Sequence, residues 1–262
     1  MSIEPTSKKD IWNPYFYKHF QGYASILVMA KHFGQLSDWP SVENYNHFAR
    51  LSNPTAHLFF KEQLKDMVYL WEIYHQQHIP TRVGCWHDFF NNLTWLAFPK
   101  LKGAIVHKMC QEPLTHQRTT LQNTLAHFDE CGIVICASNE KIFELIKTFQ
   151  WKALFCQPSN LLHCLPVLIG HGIMEKSLVP FIGMTAKAVF LPVDESFFKL
   201  TTVQQIAYVD EHMGTFILSN AFPHYPKALH PFPLLGWPGW YEPNKEAGFY
   251  DNDQYFRKGR KV

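Results

Sequence analysis

The sequence of 262 residues predicts a single α+β domain, predominantly helical with a small β-sheet, on three observations. Most of residues 15–218 repeats apolar side chains three and four apart, the spacing of helices with one buried face. The short run 133–137 is apolar and β-branched instead, the spelling of a strand, and 186–193 looks like a second one. Beyond Asn220 closely spaced prolines forbid a regular helix, so 221–262 is expected as an irregular, extended Pro/aromatic C-terminal tail wrapped on the body. No linker composition divides the chain, so 1–262 reads as one domain with a loose tail over 1–13.

Taken in order, Phe16, Phe20, Tyr23, Ile26, Leu27 and Ala30 share one face of a helix over 15–33 that ends near Gly34. Ser37-Asp38-Trp39-Pro40 is a turn, and Ser41 caps a short helix to Phe48. A helix over 59–75 is stopped by Pro80, and 79–82 runs extended into a helix over 86–98, which Pro99 ends. Helices over 101–110 and 115–128 lead to the first strand. A helix capped by Ser138 or Asn139 then runs to about Phe155, followed by an apolar stretch over 161–178 interrupted at Pro166 and Gly170-His171-Gly172. The second strand and an amphipathic helix over 201–218 complete the body.

Aromatics make up 16% and the wider apolar set 47%, against 18% charged residues, which excludes a disordered chain. The formal charge is +2, and Lys and Arg are scattered except near the two ends, so charge does not demand a nucleic-acid or acidic-membrane partner. Six cysteines in mostly apolar surroundings form no CxxC pair, which argues against a zinc knuckle or a disulfide framework. The N-terminus lacks the apolar core of a secretory signal and no apolar run reaches the roughly 18 residues of a membrane span, so a cytoplasmic location without a membrane partner is expected.

The stretch Cys85-Trp-His-Asp-Phe-Phe-Asn-Asn-Leu-Thr-Trp-Leu-Ala-Phe-Pro99 is the focus for chemistry. It surrounds His87, Asp88, Asn91 and Asn92 with bulky apolar groups, and on a helix His87 lies beside Asn91. Polar rows so close to the interior need partners. Asp129 and Glu130 end a predicted helix, where the helix dipole opposes negative charge and calls for a compensating cation. His171 and Glu175 are four apart, and Gly170 and Gly172 permit close backbone approach. If these segments converge, His87, Asp88, Asp129 and Glu130 are the catalytic candidates and His171 and Glu175 the metal ligands, for a divalent Zn, Mn or Fe with an open position for water. The same residues also read as capping and helix-end groups without chemistry, or as a metal-free acid/base pocket.

Five ordered motifs point to a family: Pro80-Thr-Arg82, the segment 86–100 just quoted, Phe128-Asp-Glu-Cys-Gly-Ile-Val-Ile135, Ile169-Gly-His-Gly-Ile-Met-Glu-Lys176, and 234–257 with Gly236-Trp-Pro-Gly-Trp240 and Phe249-Tyr-Asp-Asn-Asp-Gln-Tyr-Phe-Arg257. Over roughly 60–260 the chain resembles an uncharacterised bacterial family known only as a domain of unknown function, number three thousand and twenty-five. The resemblance implies no activity or cofactor. Arg82, Trp240, Asn244 and Asp251, from these motifs, are the candidate ligand-binding residues for an unknown small molecule. The reading is therefore a metal-dependent, hydrolase-like enzyme. Its rivals are a scaffold without catalysis, and a nucleic-acid or protein binding module in which Trp237, Trp240, Tyr250 and Arg257 form a stacking and phosphate-contact surface.

Overall fold

The strand Gly132–Ala137 is buried at all six positions, which is why its sequence is a continuous apolar run and not an alternating one. The computed structural model describes residues 10–52, 59–65, 67–113 and 117–259. In chain order its elements are α1 (Leu27–Phe33), α2 (Val42–Ser52), β1 (Phe59–Glu62), α3 (Tyr69–Gln76), β2 (His78–Thr81), α4 (Trp86–Ala97), α5 (Pro99–Gln111) and α6 (Thr120–Cys131). There follow β3 (Gly132–Ala137), α7 (Glu140–Lys147), α8 (Trp151–Phe155), α9 (Pro158–Leu161), β4 (Cys164–Leu168), α10 (His171–Lys176), β5 (Thr185–Pro192), α11 (Thr202–Leu218) and β6 (His230–Pro233). The architecture is α+β, with helices dominant.

Two sheets are present among the described residues. β1 and β2 pair parallel, and the larger sheet runs β4-β3-β5-β6, with β3 parallel to β5 and antiparallel to β4, and β6 antiparallel to β5. Alternation along β3 sends its side chains into two cores. Ile133, Ile135 and Ala137 join the aromatic core built from Phe16, Phe20, Tyr23, Phe33 and the apolar residues of α4. Val134 and Cys136 join the core of α5, α6 and α11, around Leu101, Ile105, Phe128 and Met213.

Four local expectations are corrected. The helix expected over 59–75 is a strand and then a helix: only Phe60 of β1 is buried, and the Asn46 side chain accepts from its N–H and donates to its carbonyl, as a neighbouring strand would. The helix expected over 15–33 begins as two 3-10 turns, Phe16–Lys18 and Gln21–Ile26, which bury Phe16, Tyr23 and Ile26 at least as well. The helix toward Phe155 breaks in two at Phe149, which adopts a left-handed φ of 59°. The stretch expected to be irregular throughout supplies β6 and several 3-10 turns, with Tyr255 donating to the Met184 carbonyl and accepting from Leu235 N–H.

Part of the tail expected to be loose, 1–9, lies outside the described residues, as do 115–116 of the predicted helix over 115–128. Residues 10–13 are engaged: Asp10 accepts from the Trp86 N–H at the start of α4, and the Trp12 indole donates to the Leu36 carbonyl. No helix among the described residues is long and apolar enough to cross a membrane.

Candidate metal centre

Burying Trp86, Phe89, Phe90 and Leu93 in the aromatic core turns the row His87 and Asn91 of α4 toward a cavity. From the other core, Leu125 and Phe128 anchor α6 so that Asp129 and Glu130 close it, one residue before β3 begins. The Gly132 carbonyl accepts from both Ile169 and Gly170, which brings the start of α10 against the end of α6. Only glycine fits at 170, since a Cβ there would stand 2.5 Å from the Gly132 nitrogen. That close approach delivers His171 to Glu130.

Three atoms form a triangle. His171 Nε2 lies 3.3 Å from His87 Nε2 and 3.4 Å from Glu130 Oε1, and His87 Nε2 lies 3.8 Å from Glu130 Oε1. Ligands about 2.05 Å from a tetrahedral zinc stand about 3.3 Å apart, whereas cis ligands of an octahedral ion at similar bond lengths stand about 2.9 Å apart. The triangle fits the tetrahedral spacing. Among the described residues, His87, Glu130 and His171 converge closely enough to hold one ion.

Each imidazole has a carboxylate near its other nitrogen. His87 Nδ1 is 3.0 Å from Glu175 Oε2, and His171 Nδ1, buried without a hydrogen-bond partner among the described residues, is 3.8 Å from Asp129 Oδ2. The hydrogen bond to Glu175 at His87 Nδ1 holds a proton there and leaves His87 Nε2 free to ligate. The hydrogen bond to Glu175 raises the pKa of His87, helped by the charges of Glu130 and Glu175 and opposed by burial. In the metal-free protein Glu130 is held down to about 2, first by a hydrogen bond from His171 and then by the nearby cations, with burial opposing, so it stays a carboxylate. The cation that the helix end requires is Lys102, only 2% exposed, which pairs with Asp129 and donates to Asn91 Oδ1 at 2.9 Å.

Beside the triangle lies a cavity of about 300 Å³ whose walls include Tyr69, Arg82, Asn91, Arg118, Asp129 and Met109. It has the size of a small-ligand pocket.

A family model described as "Protein of unknown function (DUF3025)" matches residues 59–260. The chain belongs to this family. All three corners of the triangle, both supporting carboxylates and Lys102 lie inside the DUF3025 region. No curated protein and no solved structure matches the chain.

The sequence placed His87, Asp129, Glu130, His171 and Glu175 in one site, and the structure of this DUF3025 member brings them together with different parts. Glu130, expected to be catalytic, is the carboxylate that lies near both Nε2 atoms, while Glu175, expected to be a ligand, hydrogen-bonds to His87 Nδ1. Asp88 is taken up by Arg82, which grips it through Nε, Nη2 and its backbone N–H at 2.7 to 3.0 Å, so both line the cavity as an ion pair. Trp240, Asn244 and Asp251 do not reach the cavity. Asn244 spends its amide on the Leu235 and Trp237 carbonyls, Asp251 pairs with Lys152, and Trp240 is buried against Phe20. Trp240 and Tyr250 are therefore largely enclosed, whereas Trp237 is half-buried and Arg257 exposed. Sequence reasoning missed Lys102, Tyr69 and Arg118. Lys102 had left a signal, a lysine in the apolar row Phe98, Ile105 and Met109; the other two had none.

Proposed function

We propose that this protein binds one divalent metal, with zinc the best fit, through His87, Glu130 and His171, and uses it as a hydrolytic centre. The observation that carries the reading is the triangle of Nε2, Nε2 and Oε1 with edges of 3.3 to 3.8 Å, each imidazole backed by a carboxylate. Two imidazoles and one carboxylate are the ligand set of catalytic zinc sites, which keep a fourth position for water and bring that water's pKa to about 7. The protein's own contributions are the His87 tautomer set by Glu175, the negative charge of Asp129 near His171, and the cavity that opens beside the ligands. All six cysteines are free thiols, which supports a reducing, cytoplasmic setting.

The test is direct. Protein stripped with a chelator and titrated with zinc should take up one equivalent, and His171→Ala and Glu130→Gln should each abolish stoichiometric uptake. Zinc-loaded protein should hydrolyse at least one member of a panel of activated esters and phosphoesters, at a rate that falls to background on chelation. Wild-type protein that retains no zinc after gel filtration would end the metal reading, and zinc uptake without turnover across the panel would end the hydrolytic one.

A further inference from the structure

The hydroxyl of Tyr69 is held in an unusual way. It accepts from Asn91 Nδ2 at 2.8 Å and from the Trp95 indole at 3.1 Å, which engages both of its lone pairs. Its own proton has no acceptor among the described residues, and Tyr69 lines the cavity beside the triangle. Burial pushes its pKa up, so the proton stays on. A donor fixed from behind by two others is built to meet an acceptor from the cavity.

The charges around the cavity add a second, independent observation. Arg82 is answered by Asp88 and Lys102 by Asp129. The two charges of a divalent ion are answered by Glu130 and Glu175, which stand at 3.4 and 3.0 Å from the histidines. Arg118 also lines the cavity and has no carboxylate partner among the described residues. Among the described residues the metal-loaded cavity thus carries one unanswered positive charge, on a guanidinium suited to a planar or tetrahedral oxyanion.

We propose that the cavity takes a small acidic substrate whose oxyanion, a carboxylate or a phosphate, is received by the Tyr69 hydroxyl and the Arg118 guanidinium while its scissile group faces His87, Glu130 and His171. This rests on the metal reading above and adds the substrate class to it. At about 300 Å³ the cavity suits a compact molecule and not a polymer.

The experiment titrates zinc-loaded protein with inorganic phosphate and, separately, with malonate, by calorimetry. Glycerol serves as the neutral control. At least one anion should bind while glycerol does not, and the tighter of the two identifies which oxyanion the cavity prefers. Arg118→Ala and Tyr69→Phe should each weaken that anion about tenfold with zinc affinity, measured on the same samples, kept near the wild-type value. Because Tyr69→Phe strips Asn91 and Trp95 of an acceptor and is open to misfolding, the exposed Arg118 provides the variant that leaves the core untouched. Zinc uptake combined with anion affinity that neither variant changes, or with no anion binding at all, overturns this inference alone. Wild-type protein that takes up no zinc overturns the metal reading and this inference with it, and that is visible before any anion is added.

Discussion

A methyl group at Gly172 would stand 2.2 Å from Glu130 Oε2, so the carboxylate that completes the triangle occupies space that any other residue at 172 would fill. The contact is with the end of a half-exposed side chain that has room to swing away. Gly172→Ala is therefore expected to move Glu130 and weaken zinc binding by an order of magnitude or more, in the range set by ligand-orienting residues. Thermal unfolding of the metal-free protein should change little. Competition against a chromophoric chelator reads the affinity, and an unchanged value would show that Glu130 does not ligate.

Glu175 should act on the metal only through His87. Glu175→Gln keeps the shape and removes the charge, and its expected effect is a 10- to 100-fold loss of zinc affinity. In the metal-free protein the hydrogen bond to Glu175 is the main cause of the raised pKa of His87, so the variant should titrate His87 at lower pH. Proton NMR of the imidazole measures this. A His87 pKa that rises or stays fixed would rule out the orienting role.

The pair Lys102 and Asp129 tests the burial of charge between α5 and α6. Lys102→Met leaves Asp129 without its partner and is expected to destabilise the metal-free protein by about 3 kcal/mol, whereas adding Asp129→Asn should recover at least half of that loss. Urea unfolding of the two single variants and the double variant gives the coupling directly. Additive losses would mean that the two groups do not depend on each other.

Asp210 offers a pH test on a residue that is not part of the triangle. From α11 it accepts the Lys100 and Leu101 N–H groups at 3.3 and 2.8 Å, at the first turn of α5, and burial pushes its pKa up to about 6 against the pull of those two donors. A carboxyl raised above its unfolded value favours the folded state most when protonated, so its contribution is present below about pH 4 and is lost as pH rises through about 6. Wild-type stability should accordingly fall by about 2 kcal/mol more than that of Asp210→Asn between pH 4.5 and 7. Equal slopes for the two proteins in urea melts at those pH values would show that Asp210 is not raised.

The strands β3 and β5, the helices α4 and α11 and the helical bias of the whole were legible because each rests on a local pattern. A fully buried central strand needs an unbroken apolar run, and a core helix needs apolar residues three and four apart. β1 and β6 were not legible. Four residues such as Phe59–Glu62 carry too little periodicity to separate strand from helix, and the choice falls to partners, β2 and the Asn46 side chain, that are not encoded at that position.

At the site, the sequence by itself determined which groups demanded partners. His87 among aromatics, two acids closing a helix and a histidine between glycines each carry a desolvation or dipole cost that has to be met somewhere. Which group meets which was decided only by the tertiary structure. The meeting of α4, α6 and α10 set Glu130 beside both imidazoles, put Glu175 at His87 Nδ1, buried Lys102 beside Asp129 and gave Arg82 to Asp88. Contacts of this kind join residues up to 88 apart in the chain, and they are fixed by how whole helices pack, through space that no local spacing describes.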